Sequence, residues 1–348
     1  MTSDLKHHEY VGVIHIHSKH SDGSGTVKKI VDEARKANLD YIIIGDHNNI
    51  EAKLYEGWHD GVMLLVGEEV GAKGSSHYLA LDIEEEIDPT ELDNDAQKYI
   101  DEVKRQNGLG FIAHPYGIEK KQFRVEVSSW DDWDSPDYTG MEIWSYMHDW
   151  SDNVNLLNIV YYYFKPDKAI EGPPTGILQR WDQLCQKRRV VGIGSSDVHA
   201  RYLFPFTMFK FLSYGIAFQG VRTHLLLPSS IKSDFDDDKR AVYDAFGNGH
   251  CFFAYDYIAD SKGFRFEASV NGSENLIMGD ETKLEGKVKL IVTSPFPSKI
   301  LLIKDGQLIK EMDNSLQLYW ETDERGVYRV EAQYNGRKWV YTNPIYLR

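Results

Sequence analysis

YVGVIHIHSKHSDG, Tyr10 to Gly23, is an apolar run that delivers His15 and His17 and then turns through Asp22 at Gly23. Residues at i and i+2 of an extended chain point to one side, so two imidazoles at this spacing can face one cation. If the run is a buried strand, its polar residues collect at the C-terminal end. The same arrangement recurs down the chain. YIIIG (41–45) leads into Asp46 and His47, and VMLLVG (62–67) into Glu68 and Glu69. YLALDI (78–83) begins just after His77, and LGFIAH (109–114) ends in His114. MEIW (141–144) carries Glu142, and RVVGIGSS (189–196) leads into Asp197 and His199.

Between these runs lie segments of helical period. TVKKIVDEARKAN (26–38), DAQKYIDEVKRQNG (95–108) and TGILQRWDQLCQKRR (175–189) place apolar residues on one face. Gly108 suits a helix stop. Continuous apolar strands alternating with helices predict a mostly parallel sheet covered on both faces. The stretch 145–175, with NLLNIVYYYF and the EGPPTG turn, reads as an aromatic-rich packing helix or a lid. After residue 262 the texture changes to short alternating runs separated by Asp-Gly and Asn-Gly turns, as in KDGQ and YNGR. That is the pattern of an antiparallel sandwich. The expected organisation is therefore an α/β barrel domain over residues 1–260 and a small β-sandwich domain over 261–348.

Length agrees with two domains, because single cores stop growing beyond about 250–300 residues and the chain has 348. The net charge of −15 argues against a nucleic-acid coat, which needs a basic face. It is compatible with an anionic substrate, because carboxylates that hold cations form a positive site once loaded. The two cysteines, Cys185 and Cys251, rule out a disulfide framework and a thiolate zinc cluster, and suit a reducing cytoplasm. The opening MTSDLKHHEY has no basic segment leading into an apolar one, so no signal peptide is expected, although a mature exported chain would look the same. No apolar run reaches the roughly 18 residues of a membrane span.

Six of the thirteen histidines thus fall at predicted strand ends, where β/α barrels carry their chemistry. Mixed imidazole and carboxylate donors without thiolate suit zinc, manganese or iron. The ordered set HIHSKHSDG, GDHN, GEE, SSH, AHP and SSDVH resembles the motifs of the PHP (polymerase and histidinol phosphatase) metal-dependent phosphoesterases, over about residues 10–255. The resemblance implies a distorted seven-stranded, TIM-like β/α barrel holding two to three divalent metal ions. It assigns His15, His17, Glu69 and Asp197 to one ion, and Glu69, His77 and His114 to a second. Asp22, His47 and His199 go to a third. The C-terminal β domain is similar to that of the branch that includes carbaryl-type ester hydrolases.

The reading that follows is hydrolysis of a small phosphate ester by a metal-bridging hydroxide in a di- or trinuclear site. Glu69, Asp197 and His199 are the catalytic candidates, and Arg201 is the phosphate-contacting cation. The absence of a G-x-S-x-G elbow and of a Walker loop agrees with a reaction that needs no protein nucleophile. A hydrolase of a carboxylic ester, carbamate or amide would use the same ligands. A binding protein on a metal-stabilised scaffold is the alternative from another class. The expected partner is a small anionic or ester substrate, with neither nucleic acid nor membrane, and homo-oligomers would form through the C-terminal domain. Asp46 reads as a residue that orients ligands, and Glu142 as either support for the site or a helix cap. His7, His8, His20, His59 and His148 read as exposed, His224 and His250 as packed or solvated. DFDDDK (234–239) reads as a solvated loop and YYYF (161–164) as core.

Overall fold

The computed structural model describes residues 7–72, 74–117, 130, 133–201, 212–231, 234–272 and 274–348. It is a mixed α/β fold built on one large sheet that closes on itself. In chain order the first part runs β1 (His8–Ile16), α1 (Val27–Lys36), β2 (Tyr41–His47), β3 (Gly57–His59), β4 (Val62–Val70), β5 (Tyr78–Leu81), α2 (Ala96–Arg105) and β6 (Leu109–Ile112). It continues through β7 (Gly140–Ser145), α3 (Tyr146–Asn153), α4 (Ile159–Phe164), α5 (Thr175–Lys187), β8 (Val191–Ser195), α6 (Tyr214–Ala217), β9 (Val221–Leu227), α7 (Phe235–Asn248) and β10 (Cys251–Tyr255).

The three helical segments read from the sequence are α1, α2 and α5. Thr26 and Asp95 cap α1 and α2, each accepting a backbone N–H of the first turn. The acidic run at 234–239 is not a loop. Asp234 accepts the N–H groups of Asp236 and Asp237, and three aspartates of the first turn sit at the positive end of α7.

Strand β1 pairs parallel with β2, β2 with β4, β6 with β7 and β7 with β8. The expected parallel sheet is interrupted by antiparallel strands: β3 runs against β4, and β9 runs against β1 and β10. β5 runs antiparallel to both β4 and β6, so the start of β5, not its end, lies level with the ends of the parallel strands. His77, one residue before β5, is thereby brought to the same rim as the others. The sheet meets itself where Ile16 bridges Val198. Both faces of the strands are covered. Ile42, Ile44 and Leu64 pack in one cluster with the buried face of α1, while Ile43, Leu65 and Ile193 pack in another with Val242 and Phe246 of α7. That two-sided burial explains the unbroken apolar runs.

Eight further strands follow: β11 (Arg265–Val270), β12 (Glu274–Ile277), β13 (Glu281–Thr282), β14 (Val288–Lys304), β15 (Gln307–Thr322), β16 (Gly326–Tyr334), β17 (Arg337–Thr342) and β18 (Ile345–Leu347). The chain runs across Pro295 and Pro297 as the single strand β14. Its pairing with β15 shifts between Thr293 and Ser298, a bulge that accommodates both prolines. Beyond the bulge β14 changes neighbour from β11 to β16, and so turns a corner between two groups of strands. The sheet does not stop near residue 260, because Phe252 to Ala254 of β10 pair directly with Val340 to Thr342 of β17. Phe252 and Ala254 belong to the same core as Phe266, Leu290, Val330 and Trp339.

A further difference concerns 155–164. The turn before α4 and α4 itself leave Leu156, Leu157, Val160, Tyr161 and Phe164 exposed, so this segment is not core.

Candidate metal centre

The local backbone explains how one rim gathers so many side chains. Between Val13 and Ile16, β1 carries one residue more than β2 opposite it, and in this bulge His15 adopts φ 61°. A second bulge lies between Glu142 and Trp144 of β7. Bulges beside a site re-aim side chains at the expense of regular pairing. His114 at φ 26° and Asp197 at φ 50° are also in the left-handed region, where non-glycine residues are strained. The i, i+2 spacing of His15 and His17 therefore does not describe a regular strand, although both rings reach the same centre.

The loop after β1 is tied down on both sides. Asp46 accepts hydrogen bonds from the Ser18 N–H (2.7 Å), the Ser18 hydroxyl (2.6 Å) and the Ser21 hydroxyl (2.5 Å). His17 N donates to the Val198 carbonyl and Ser24 N to the His199 carbonyl. A side chain at Gly23 would put its Cβ 2.1 Å from the His17 carbonyl oxygen, so the tight turn requires glycine. Asp22 is held over the rim in consequence.

Glu69, buried at the end of β4, is the hub. Its Oε2 lies 3.1 Å from His15 Nε2, 3.2 Å from His17 Nε2 and 3.1 Å from His47 Nδ1. Its Oε1 lies 2.7 Å from His77 Nδ1 and 2.8 Å from His114 Nε2. The two oxygens thus face separate sets of imidazoles. Asp197 Oδ1 is 3.1 Å from His17 Nε2 and 3.6 Å from His15 Nε2. On the outer side, Asp22 Oδ1 is 3.1 Å from His199 Nε2, and Asp22 Oδ2 is 3.7 Å from His47 Nε2. His17 and His199 stack with ring centroids 3.9 Å apart.

Two neighbours orient the rings. His15 Nδ1 lies 2.6 Å from Glu142 Oε1, whose other oxygen accepts the His114 backbone N–H at 2.8 Å. A carboxylate on Nδ1 turns Nε2 toward Glu69 and Asp197, as ligand-orienting pairs do in metal sites. His199 Nδ1 lies 3.0 Å from the Asp197 carbonyl, leaving Nε2 for Asp22. Glu68, by alternation, faces away and accepts the Ile87 N–H at 2.9 Å. Burial raises its carboxyl to about 8.

The donor set fits divalent cations. His15 Nε2, His17 Nδ1, Asp22 Oδ1 and Glu69 Oε2 are buried without a hydrogen-bond partner, which is costly unless something binds them. Burial, with the nearby His17 and His199 rings, pushes His47 down to about 3 against the pull of Glu69. Burial and the His17 ring push His199 down to about 4. Both rings are therefore neutral at physiological pH, the form that ligates. Burial opposes charge on Glu69, but the surrounding imidazoles hold its carboxyl well below the ordinary range. Among the described residues, four groups of side chains have donor atoms close enough for one ion: His15/His17/Glu69/Asp197, His47/Glu69/His77, His17/Asp22/His47/His199 and His114/His148/Asp197.

The sequence reading missed the last of these. His148, on the first turns of α3, is buried, with Nε2 3.2 Å from Asp197 Oδ2 and its ring stacked 4.5 Å from His114. The available signal was its position three residues beyond the end of β7. Arg201 forms an ion pair with Asp22 through its guanidinium, and its Nε also donates to the Asp22 carbonyl at 3.2 Å. Among the isolated histidines, His20 meets Glu51, and His250 meets Asp280. His224 is fully buried between Glu9 and Asp256, away from this rim.

Residues 14–157 match the PHP domain. Seven of the nine expected ligands fall within that match; Asp197 and His199 lie beyond it. The match supports a metal-dependent hydrolase. A two-domain protein of Bacteroides vulgatus, described as containing a predicted PHP-like metal-dependent phosphoesterase, is 15% identical, with 99% of this chain and 97% of that one covered at a TM-score of 0.43. A putative metal-dependent phosphoesterase of Bifidobacterium adolescentis is 16% identical over 54% of this chain and 87% of that one, TM-score 0.33. An Endonuclease Q complex with a duplex bearing an abasic lesion is 13% identical over 69% and 56%, TM-score 0.38. No curated protein matches the chain. Among the described residues no helix is long and apolar enough to cross a membrane.

Proposed function

We propose that the protein is a metal-dependent phosphoesterase for a small phosphate ester, with a di- or trinuclear centre in an N-terminal PHP-type barrel and a β-sandwich unit after about residue 260. The observation that carries the reading is the hub position of Glu69, whose two buried oxygens face separate imidazole sets.

His15, His17, Glu69 and Asp197 would hold one cation, His77 and His114 with Glu69 a second, and Asp22, His47 and His199 a third. Bound divalent cations supply a nucleophilic water at neutral pH and offset charge on the phosphoryl oxygens. Manganese, zinc or iron suits the donors. The chain's own contribution is positioning. Glu142 and the Asp197 carbonyl fix the His15 and His199 rings, and Asp46 holds the loop that presents Asp22. Arg201, paired with Asp22 at the rim, would be available to an anionic group if a bound cation took up the Asp22 carboxylate.

The test is hydrolysis by full-length protein reconstituted with Mn, Zn or Fe, on phosphomonoesters, phosphodiesters and a carboxylic ester, with Glu69→Ala as control. Phosphate release that is lost in the variant is the expected result. Turnover of the carboxylic ester alone would replace the reading with that of a carbonyl hydrolase. No turnover by folded, metal-loaded protein would overturn it in favour of a binding protein.

A further inference from the structure

A cavity of about 290 Å³ opens beside His114 and His148, on the side of the centre away from Asp22. Its wall is made by the end of β7, by α3, by the turn Glu171–Thr175 and by one residue from the C-terminal strands, Lys338 of β17. The Lys338 stem runs across Gly172, where an added Cβ would lie 2.4 Å from Lys338 Cδ and where φ is +101°. The ammonium donates to the Pro173 carbonyl at 3.0 Å. An ammonium has three donors, and among the described residues one is engaged, which leaves two for a guest. Arg337 holds the same wall, donating to the Asp167 carbonyl at 2.6 Å.

The lining limits what can enter. At about 30 Å³ per water, the space holds roughly ten waters' worth of guest. Among the described lining residues Glu142, Asp149 and Glu171 set three carboxylates against one ammonium, so a guest with its own negative charge is disfavoured. Asp149 is engaged by Trp144 Nε1 and by the N–H groups of Glu171 and Gly172. Ser145 Oγ and His148 Nδ1, on lining residues, are buried without hydrogen-bond partners. A neutral group rich in hydroxyls fits this mixture of polar atoms with Trp144 and Ile177; a hydrocarbon or a second phosphate does not.

We infer that this cavity receives the alcohol portion of the ester, that the group accepted is a neutral, hydroxyl-bearing one of about monosaccharide size, and that Lys338 selects it. The inference rests on the phosphoesterase reading for its chemistry, while binding to the cavity does not. The C-terminal strands thereby complete the substrate site.

The experiment has two arms on full-length protein. In the first, saturation-transfer NMR follows binding of neutral monosaccharides and linear polyols, and of the matching sugar acids, to wild type, Lys338→Met and Gly172→Ala. Neutral polyols are expected to bind wild type, sugar acids are not, and each variant is expected to weaken polyol binding about tenfold, the value of a charged hydrogen bond. In the second, metal-loaded protein hydrolyses monophosphates and bisphosphates of the same polyols. Monophosphates are expected to lead by at least about tenfold in kcat/KM, and Lys338→Met to raise KM with kcat within about twofold, as loss of a binding contact does. Polyol binding without phosphate release would overturn the phosphoesterase reading and leave the cavity assignment standing. Phosphate release that is indifferent to Lys338→Met and Gly172→Ala, or fastest on bisphosphates, would overturn the inference and leave the phosphoesterase standing.

Discussion

His224→Phe is expected to separate an ionic lock from simple packing. The His224 ring lies between Glu9 (Nδ1 to Oε1, 2.8 Å) and Asp256 (Nε2 to Oδ2, 3.0 Å), and stacks on Phe252 with centroids 4.4 Å apart. Arg265 reaches the other oxygen of Glu9 at 2.6 Å, and Ser261 donates to Asp256 at 2.6 Å. Burial disfavours charge on the ring, but Asp256 and Glu9 override it and raise His224 to about 9. The gap from an ordinary imidazole at 6.5 corresponds to a contribution of about 3 kcal/mol. Because the folded value is the higher one, this stability is fully present below pH 6.5 and is lost as pH rises through about 9. Phenylalanine keeps the stack but leaves two buried carboxylates facing an apolar ring, which costs about 3–5 kcal/mol. Urea unfolding followed by circular dichroism at pH 6, 7.5 and 9.5 reads both effects. The variant should unfold at markedly lower urea at pH 6 and 7.5, and the difference should narrow at pH 9.5, where wild type loses its own proton. A variant within 1 kcal/mol of wild type at pH 7.5, or a difference constant to pH 9.5, would refute the ionic account.

Glu142→Gln is expected to weaken metal affinity about 10–100-fold, the usual effect of losing a ligand-orienting carboxylate, with little change in fold; metal titration with competing chelators measures it. Arg201→Met should increase metal occupancy at the Asp22, His47 and His199 group, because the competing guanidinium is gone, and metal analysis after dialysis checks this. Asp234→Ala should cost about 1 kcal/mol through loss of the α7 cap, read as a lower unfolding midpoint.

Much of the candidate site was legible because most of its residues stand at or just beyond strand ends, and strand ends can be read from apolar runs. Direction and register could not be read. Whether β5 runs with or against β4 depends on partners far along the chain, yet it decides that His77 joins the rim through the start of its strand. The bulge at His15 and the left-handed backbone of Asp197 are set by packing, not by local propensity, so the regular i, i+2 picture names side chains that do share one rim but gives the wrong backbone geometry for them. His148 was hidden because it belongs to the short α3, whose charged residues are drawn inward by Trp144 and Asp197. Likewise, the acidic run at 234–239 looked solvated because a capping role shows only once the helix it caps is known. The continuity of β14 is not legible in the sequence, because Pro295 and Pro297 ordinarily interrupt a strand and here a bulge absorbs them.

The pairing of β10 with β17 also constrains how the molecule is made. The partner of residues 252–254 is residues 340–342, almost ninety residues further along the chain. A chain emerging from the ribosome therefore holds a finished apolar edge at β10 with nothing to pair it until these residues are free. Nucleation can begin among the early strands, but closure of this seam must wait for their release, as expected where contacts are far apart in sequence. Nascent chains stalled between residues 260 and 336 would expose that edge, and this interval is where chaperone dependence and aggregation during synthesis should concentrate.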